Sequence, residues 1–315
     1  MTSPQQAFSN PFRGAVLDWA VLLLLVIVWG SAFAALKIAA VSFDAFWMVA
    51  VRLGVSALTL GLIVGFQRKA LPGVLPRPSG LWLWWGAVGV FGMAFPFLGF
   101  AWAARHVDSA VLAILNGAAP LFTALLAHFT LEGEKMGWRR ALGLSFGFLG
   151  LAVLIGPKLN LGGEGAFGLA FLVCLAGVFA TLGYAFGNVV TKIAPKGDAT
   201  VTACVFSFAG AAVAIVAALL ILPFPTGISL ASWGAVIFLG VFPTALATIL
   251  NVWLIQRRGP VFTAMTTYLT PLWATVLGIT FLGEALTVPI LASLGLILLG
   301  VWIANARARP AGTPR

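Results

Sequence analysis

Charge is scarce in this chain. Asp, Glu, Lys and Arg make up 8% of its 315 residues, against roughly 25% in an ordinary soluble domain. So few charged side chains cannot cover a water-facing surface, which excludes a soluble globular protein. Apolar residues supply 61% of the chain, so lipid must be the solvent for most of it. The net charge of +10 does not indicate a nucleic-acid partner, because the basic residues lie in short loops between apolar runs.

Acidic residues are the scarcest charged group. Prenyl and phosphate transferases need Asp-rich metal sites, and an intramembrane aspartyl protease needs two acids at mid-membrane. Neither pattern occurs, nor does the Gly-x-Ser-x-Gly elbow of a serine protease, so we expect no enzyme. Proton coupling in transporters usually uses an Asp, Glu or His inside the membrane, and this chain places its acids in loops or near the ends of apolar runs. The eight acids are Asp18, Asp44, Asp108, Glu132, Glu134, Glu164, Asp198 and Glu284.

Cysteine is also rare. Cys174 and Cys204 each lie inside an apolar run, and they form neither a disulfide framework nor a metal-binding spacing. We therefore expect two small buried hydrophobic side chains and neither metal nor cofactor. Residues 1–15 are polar, and the apolar run after them is longer than the core of a signal peptide. The sequence thus predicts an uncleaved first membrane segment.

Long apolar runs dominate what remains. A helix needs about 20 mostly apolar residues to cross a bilayer, and ten runs qualify. Gly, Pro and charged residues separate them, as at Leu71-Pro72-Gly73. We therefore predict an all-α integral membrane protein without a separate soluble domain. The predicted spans are 17–38, 44–66, 81–103, 108–129, 138–156, 166–190, 199–222, 232–255, 260–282 and 287–306.

Lys and Arg are distributed unevenly between the two sets of loops. One set holds 14 of them, whereas the loops of the other hold only Arg105 and Lys158. Cytoplasmic loops are the richer in Lys and Arg, so both termini are predicted in the cytoplasm and the protein in the inner (plasma) membrane. The 14 are Arg13, Arg68, Lys69, Arg77, Lys135, Arg139, Arg140, Lys192, Lys196, Arg257, Arg258, Arg307, Arg309 and Arg315.

The chain also contains an internal duplication. Residues 82–131 match a second copy after a shift of 151 residues, and the shift is 155 upstream and 150 downstream. Five predicted spans fall in each copy, and an odd number turns the second copy upside down. Inverted repeats of this kind occur in transporters that work by alternating access. Matched positions include Lys37 with Lys192, Trp82 with Trp233, Gly89 with Gly240, Pro120 with Pro271 and Gly150 with Gly300.

Two motifs resemble a known family. Val28-Trp29-Gly30-Ser31-Ala32-Phe33, followed by Lys37, resembles the first helix of the EamA family in the drug/metabolite transporter superfamily, and Leu282-Gly283-Glu284-Ala285-Leu286 resembles the motif after its ninth helix. The counterpart in the first half, Gly133-Glu134-Lys135-Met136, is preceded by an additional Glu132.

The resemblance covers nearly the whole chain and comes nearest to YddG-like amino-acid exporters. It implies ten helices arranged as two inverted five-helix repeats, at residues 1–156 and 157–315. It also implies a central cavity lined mainly by helices 1, 3, 4, 6, 8 and 9, and export of amino acids or related metabolites.

Pro120 and Pro271 are predicted near the middle of matching helices. A proline leaves the carbonyl of the preceding turn without its helical partner, and in lipid that carbonyl needs another partner or a wet cavity. Asn116, Thr267 and Tyr268 add polar groups in the same turns. These segments either line the cavity and present polar groups to a zwitterionic solute, or form permanent kinks that improve packing.

Arg52 is predicted about 12 Å inside the second helix, at 1.5 Å per residue from Asp44. It is a candidate for binding a solute carboxylate or for an ion pair that closes a gate, and a purely structural role stays open. Asn188 and Asn251 are isolated amides in apolar helices. Each needs a neighbouring helix, a water or the solute as a partner, and interhelical bonding is slightly favoured.

The solute is expected to be amphipathic and of amino-acid size. An aromatic cavity with few polar anchors suits such a molecule and suits sugar phosphates or nucleotides poorly. We expect secondary transport by facilitated efflux, with proton-coupled antiport of drugs or metabolites, a channel, an assembly role and an intramembrane enzyme as alternatives. The expected partners are the solute and membrane lipids, and a monomer is compatible with the sequence. The remaining candidate cavity residues are Trp29, Phe33, Phe95, Trp102, Tyr184 and Trp253.

Overall fold

The computed structural model describes residues 11–73, 80–130, 137–160, 164–195, 197–258, 263 and 265–305, and these form helices joined by short connections. The first-half helices are α1 (Pro11–Ala40), α2 (Ala45–Phe66), α3 (Gly80–Gly89), α4 (Phe95–Ala103), α5 (Ser109–Gly117), α6 (Ala119–Thr130) and α7 (Trp138–Asn160). The second-half helices are α8 (Glu164–Ile193), α9 (Ala199–Ile221), α10 (Leu230–Leu239), α11 (Ala247–Arg258), α12 (Met265–Leu282) and α13 (Val288–Asn305).

The predicted all-helical class is confirmed for the described residues, and seven segments are long and apolar enough to cross a membrane. Three further apolar stretches of 10–17 described residues lie within α7, α12 and α13. The seven are Ala15–Ala40, Ala45–Phe66, Gly80–Ala103, Ser109–Thr130, Phe171–Ile193, Ala199–Ile221 and Leu230–Leu254. The three are Ala141–Gly150, Leu269–Leu282 and Val288–Gly300.

Asp44 and Asp198 begin two long helices in the same way. The Asp44 carboxylate accepts a hydrogen bond from the backbone N–H of Trp47 at 3.0 Å, at the start of α2. The Asp198 carboxylate accepts from the backbone N–H groups of Thr200 and Val201 at the start of α9. An acidic N-cap satisfies N–H groups that have no partner within the helix. Both acids therefore act at helix ends, where the sequence placed them.

Three of the predicted spans are not regular helices. A π-helical segment, π1 (Val90–Ala94), joins α3 to α4, and a second one, π2 (Gly240–Leu246), joins α10 to α11. The 151-residue shift superimposes these two segments, so the irregularity is duplicated along with the sequence. The predicted span 108–129 is interrupted after Gly117, and Pro120 lies at the start of α6, whereas Pro271 lies within the continuous helix α12.

Glycine contacts between helices are reciprocal. A Cβ on Gly89 would collide with the carbonyl oxygen of Phe206, and one on Gly240 would lie 2.7 Å from Cβ of Val55. The two glycines are related by the 151-residue shift. A Cβ on Gly240 would also lie 2.8 Å from the carbonyl oxygen of Arg52, which is 154 residues before Phe206, the separation that also relates the helix caps Asp44 and Asp198. Such contacts, in which two surfaces exchange equivalent positions, are typical of a two-fold relation.

Helices α7 and α13 also make reciprocal glycine contacts, and these contacts show how the two helices run relative to each other. A Cβ on Gly150 would lie 3.0 Å from the carbonyl oxygen of Ser293, and one on Gly300 would lie 2.5 Å from that of Gly143. Residue numbers rise along α7 as they fall along α13, so the two helices are antiparallel. A two-fold axis that relates two antiparallel helices is perpendicular to both of them.

Candidate functional site

The Arg52 guanidinium lies in the interior of the helical assembly. Arg52 is 8% exposed, and it lies within α2, which is long and apolar enough to span a membrane. Cζ of Arg52 lies 3.6 Å from the centroid of the Phe97 ring, which is cation–π geometry. Nε donates a hydrogen bond to Oγ1 of Thr244 at 2.9 Å. Helix α2 thus inserts a cation between an aromatic ring of α4 and a hydroxyl of π2.

Thr244 is positioned by the irregular geometry of π2. Pro243 has no N–H, so it cannot donate to the carbonyl of Leu239 as a regular helix requires. The Thr244 hydroxyl donates to that carbonyl at 2.7 Å while it accepts from Arg52. Nε1 of Trp29, on α1, donates to the carbonyl of Pro243 at 3.0 Å. The backbone carbonyls of Leu239 and Pro243 therefore both accept hydrogen bonds from side chains at the site.

Aromatic side chains form one wall beside Arg52. The rings of Tyr184 and Phe100 stack with centroids 5.8 Å apart. Tyr184 also meets Phe97 at 6.2 Å, and Phe33 meets Phe100 at 6.1 Å, both edge to face. Offset and edge-to-face pairs are favourable arrangements for aromatic rings. We call this set of residues the Arg52 cluster: Phe33, Arg52, Phe97, Phe100, Tyr184 and Thr244.

The proline segments adjoin the cluster through Thr181. Its hydroxyl donates to the carbonyl of Leu115 at 3.1 Å, and Thr181 lies one turn before Tyr184 on α8. Asn116 follows Leu115; its side chain is half-buried and makes no hydrogen bond to the described residues. A polar side chain that is accessible and unpaired there can meet a solute.

The matching proline lies against the same turn of α5. A Cβ on Gly117 would lie 3.5 Å from Cγ of Pro271. Pro120 and Thr267 are half-buried. The side chain of Tyr268 falls outside the described residues.

Five other predicted cavity residues lie away from the cluster contacts. Asn188 donates to Oγ1 of Thr123 at 3.5 Å, which links α8 to α6 as interhelical bonding would. Asn251 is half-buried and makes no hydrogen bond within the described residues. Phe95 is 52% exposed. The ring of Trp102 lies 5.0 Å from that of His106, and Trp253 lies beneath Arg257, so each is close to one end of the helical assembly.

Sequence reasoning missed Phe97, Phe100 and Thr244. It chose Phe95 on the same helix, two positions before Phe97. Two residues turn a helix by about 200°, so these phenylalanines point in different directions. The available signal was Pro243 with Thr244 beside the repeated Gly-Val-Phe, since a proline and a hydroxyl inside an apolar run indicate an irregular turn.

Ionic contacts join the two halves at the end where α1 begins. Asp18 is 1% exposed, and its carboxylate accepts from Nε of Arg257 and lies 3.6 Å from Nε of Arg258. Nζ of Lys69 lies 2.7 Å from the Asp198 carboxylate. Partial burial raises the pKa of Asp198, but the hydrogen bond from Lys69 and backbone N–H groups outweigh it, so the net pKa lies below the ordinary value.

Glu284 joins the halves at the opposite end. Its carboxylate accepts from the backbone N–H and the hydroxyl of Ser109, at 2.8 and 2.7 Å, where α5 begins. A carboxylate at a helix N-terminus meets unpaired N–H groups and the positive end of the helix dipole. Nζ of Lys37 donates to the carbonyl of Val107 at 3.0 Å close by. The motif residue Glu284 and Lys37 therefore hold helix ends together.

The described residues contain no group of three or more His, Cys, Asp or Glu side chains that could hold a metal ion. Cys174 and Cys204 are both buried. The Arg52 cluster offers one guanidinium, the hydroxyls of Thr244 and Tyr184, and aromatic faces, all of which can bind a solute.

A family model described as the EamA-like transporter family matches the chain twice, over residues 18–156 and 171–306. The chain is 27% identical over 307 residues to a "Probable terminal-alkyne amino-acid exporter" of Streptantibioticus cattleyicolor, covering 94% of this chain and 97% of that protein. It is 24% identical over 294 residues to the "Uncharacterized inner membrane transporter YedA" of Escherichia coli K12, covering 92% of this chain and 91% of that protein. A crystal structure at 20% identity gives a TM-score of 0.63 and covers 94% of this chain and 99% of its own, so the fold is shared.

Proposed function

The chain belongs to the EamA-like transporter family, and from this premise we propose that it exports amino acids or similar small amphipathic metabolites across the inner membrane. It is a membrane transporter by family, and the similar exporter of Streptantibioticus is named for an amino-acid substrate. The proposed mechanism is alternating access by facilitated efflux of the solute.

The observation that carries this proposal is the Arg52 cluster. It collects side chains from α1, α2, α4, α8 and π2, and thus from both copies of the duplicated sequence. A site between two related halves is where rocking motion exposes a solute to one side and then to the other. The guanidinium can bind a solute carboxylate, and the aromatic rings can cover an apolar body.

The proposed architecture is ten spans in two inverted five-helix repeats, with residues 1–156 as the first and 157–315 as the second. The reciprocal glycine contacts and the antiparallel pair α7 and α13 support it. Ser56 on α2 and Ser207 on α9 hydrogen-bond to each other at 2.9 Å, and both are fully buried, so the two halves are also joined in the interior. Both termini are proposed to be cytoplasmic, as the basic loops favour.

The contacts at the two ends are candidate gates. The end with Asp18 and Arg257 would face the cytoplasm, and the end with Glu284 and Ser109 would face outward. Opening either side requires breaking contacts between the halves, and the two ends use different chemistry. The cytoplasmic and outward gates can therefore differ in how readily they open.

Proton-coupled antiport is the second candidate. Asp18 is a buried carboxylate, which is the kind of group that proton coupling uses. However, it is held by two arginines at a helix end, and this favours a gate contact. An imposed pH gradient across proteoliposomes distinguishes the two mechanisms, since accumulation driven by that gradient alone would establish antiport.

A solute panel in proteoliposomes tests the proposed function. Purified protein should give saturable uptake of radiolabelled amino acids or related metabolites. Arg52→Ala, Asn116→Ala and Tyr268→Phe should each change the rates across the panel, because each removes a polar group from the proposed cavity.

Arg105→Ala is the matched control. It removes an exposed arginine from a loop, and its uptake should equal that of the unmodified chain. A panel left unchanged by all three cavity variants would refute the site, and uptake that never saturates would contradict a carrier.

A further inference from the structure

Arg52 has no anionic partner within the described part of the chain. Its hydrogen bond goes to a neutral hydroxyl and its ring contact to a phenylalanine. The acids whose side chains are described are engaged or placed elsewhere: Asp18 with Arg257, Asp44 and Asp198 as helix caps, Asp108 before α5, and Glu284 on Ser109. Burying a cation is costly unless a charge of opposite sign accompanies it.

The guanidinium also has unused donors. Arginine carries five N–H groups, and in this structure only Nε donates a hydrogen bond to a described residue. Cζ lies 3.6 Å from the centroid of the Phe97 ring, and the terminal N–H groups make no hydrogen bond to a described residue. Two parallel N–H groups on the edge of a guanidinium match the two oxygens of a carboxylate. The site is therefore built to receive an anion.

By contrast, the two backbone carbonyls nearest to Arg52 already accept hydrogen bonds from side chains. The carbonyl of Leu239 accepts from the Thr244 hydroxyl, and the carbonyl of Pro243 accepts from Trp29. A zwitterionic amino acid would bring a second positive charge close to the guanidinium, where no described carboxylate can pair with it. Its net charge of zero would also leave the buried cation uncompensated.

We propose that the Arg52 cluster selects organic anions, namely monocarboxylates with an aromatic or alkyl body and no free ammonium group, in preference to zwitterions. Acylated amino acids and aromatic acids have this chemistry. The carboxylate pairs with the N–H edge of Arg52 and the body lies against Phe100 and Tyr184. This inference rests on the proposed function and specifies the solute class of the same site.

The test uses solutes of matched shape in proteoliposomes made with the full chain. N-acetylphenylalanine is the anion, phenylalanine the zwitterion and phenylalanine methyl ester the cation, and protein-free liposomes measure leakage. The anion should enter at least tenfold faster than the zwitterion. A potassium diffusion potential that is positive inside should accelerate entry of the anion and leave the zwitterion unaffected, because only the anion carries net charge.

Variants connect that preference to the cluster. Arg52→Ala should reduce uptake of the anion at least tenfold, and Arg52→Lys should restore part of it because the charge returns without the planar fork. Arg105→Ala should change nothing. Should Arg52→Ala fail to fold, Thr244→Val, which keeps the guanidinium and removes the hydroxyl that orients it, should still weaken the preference.

The outcomes separate this inference from the proposed function. Saturable transport of phenylalanine at a rate equal to or above that of N-acetylphenylalanine would overturn anion selection and leave the carrier function intact. Anion uptake that ignores membrane potential would also overturn it. Saturable uptake of no solute in the panel would count against both.

Discussion

Thr244 makes two hydrogen bonds with one hydroxyl, and both partners are buried. It donates to the carbonyl of Leu239 and accepts from Nε of Arg52. Valine has nearly the same shape, so Thr244→Val removes the bonds without a large cavity. An unpaired buried donor or acceptor costs about 1–3 kcal/mol, and we expect the free energy of unfolding in detergent to fall by about 2 kcal/mol.

Thr280→Val is the control for that measurement. Thr280 is exposed, and its hydroxyl bonds only to the carbonyl of Val276 in its own helix. Its change should stay within about 0.5 kcal/mol. If the two substitutions had equal effects, the hydrogen bond from Arg52 to Thr244 would add nothing to stability beyond that of a hydroxyl bonded only to its own helix.

Glu284 is the second residue whose contribution can be measured separately. Glu284→Gln keeps the shape of the side chain and removes the charge that faces the start of α5. Charge-assisted hydrogen bonds are stronger than neutral ones, and the helix dipole adds a further term. We expect the free energy of unfolding to fall by about 1 kcal/mol, as measured by denaturation in detergent.

Asp108→Asn provides the comparison. Asp108 precedes the same helix but makes no side-chain cap bond, so its charge should matter less. A loss from Asp108→Asn as large as that from Glu284→Gln would mean that the carboxylate contact with Ser109 is not what stabilises this end.

At the scale of elements, glycine allows α10 and π2 to approach α2 closely. A Cβ on Gly240 would lie 2.7 Å from Cβ of Val55 and 2.8 Å from the carbonyl oxygen of Arg52. Backbone atoms cannot yield easily, so Gly240→Ala should destabilise the fold by about 1–3 kcal/mol through overpacking. Gly89→Ala should do the same in the other copy, against Phe206.

Gly65→Ala is the matched control, since nothing lies within 4 Å of its Cβ position. Alanine favours helix over glycine by about 1 kcal/mol, so this variant should be neutral or stabilising. Thermal unfolding of the three purified variants checks the ranking. A tolerated Gly240→Ala would contradict the close approach on which the reciprocal packing depends.

How far the sequence could predict these elements depends on the physics of each signal. Long apolar runs located the helices, because a bilayer imposes a minimum length. Arg52 was identifiable because a charge in such a run has few explanations. Phe97 was not identifiable by periodicity, because π1 changes the pitch of its helix and shifts every later side chain around the axis. Thr244 was overlooked because a threonine in a membrane helix commonly bonds to its own backbone, which it also does here.

For the whole molecule, charge selection and the scarcity of membrane acids fit together. A solute with net charge −1 is driven outward by a membrane potential that is negative inside. Moving one charge through 100 mV is worth about 2.3 kcal/mol, which can sustain a roughly 50-fold concentration gradient of the solute. An exporter of anions therefore needs no proton relay, whereas an exporter of zwitterions by facilitated efflux depends on the solute gradient alone.

Inversion of the two repeats makes a further prediction about which loops face each side. Gln67 follows α2, and Thr226 lies in the equivalent loop after α9; both are exposed. In a background with Cys174 and Cys204 replaced by alanine, a membrane-impermeant thiol reagent should label Thr226→Cys in intact cells. Gln67→Cys should react only after permeabilisation, since its loop is predicted to be cytoplasmic. Parallel repeats would place both loops on one side, so labelling of both positions from outside would contradict the inverted arrangement.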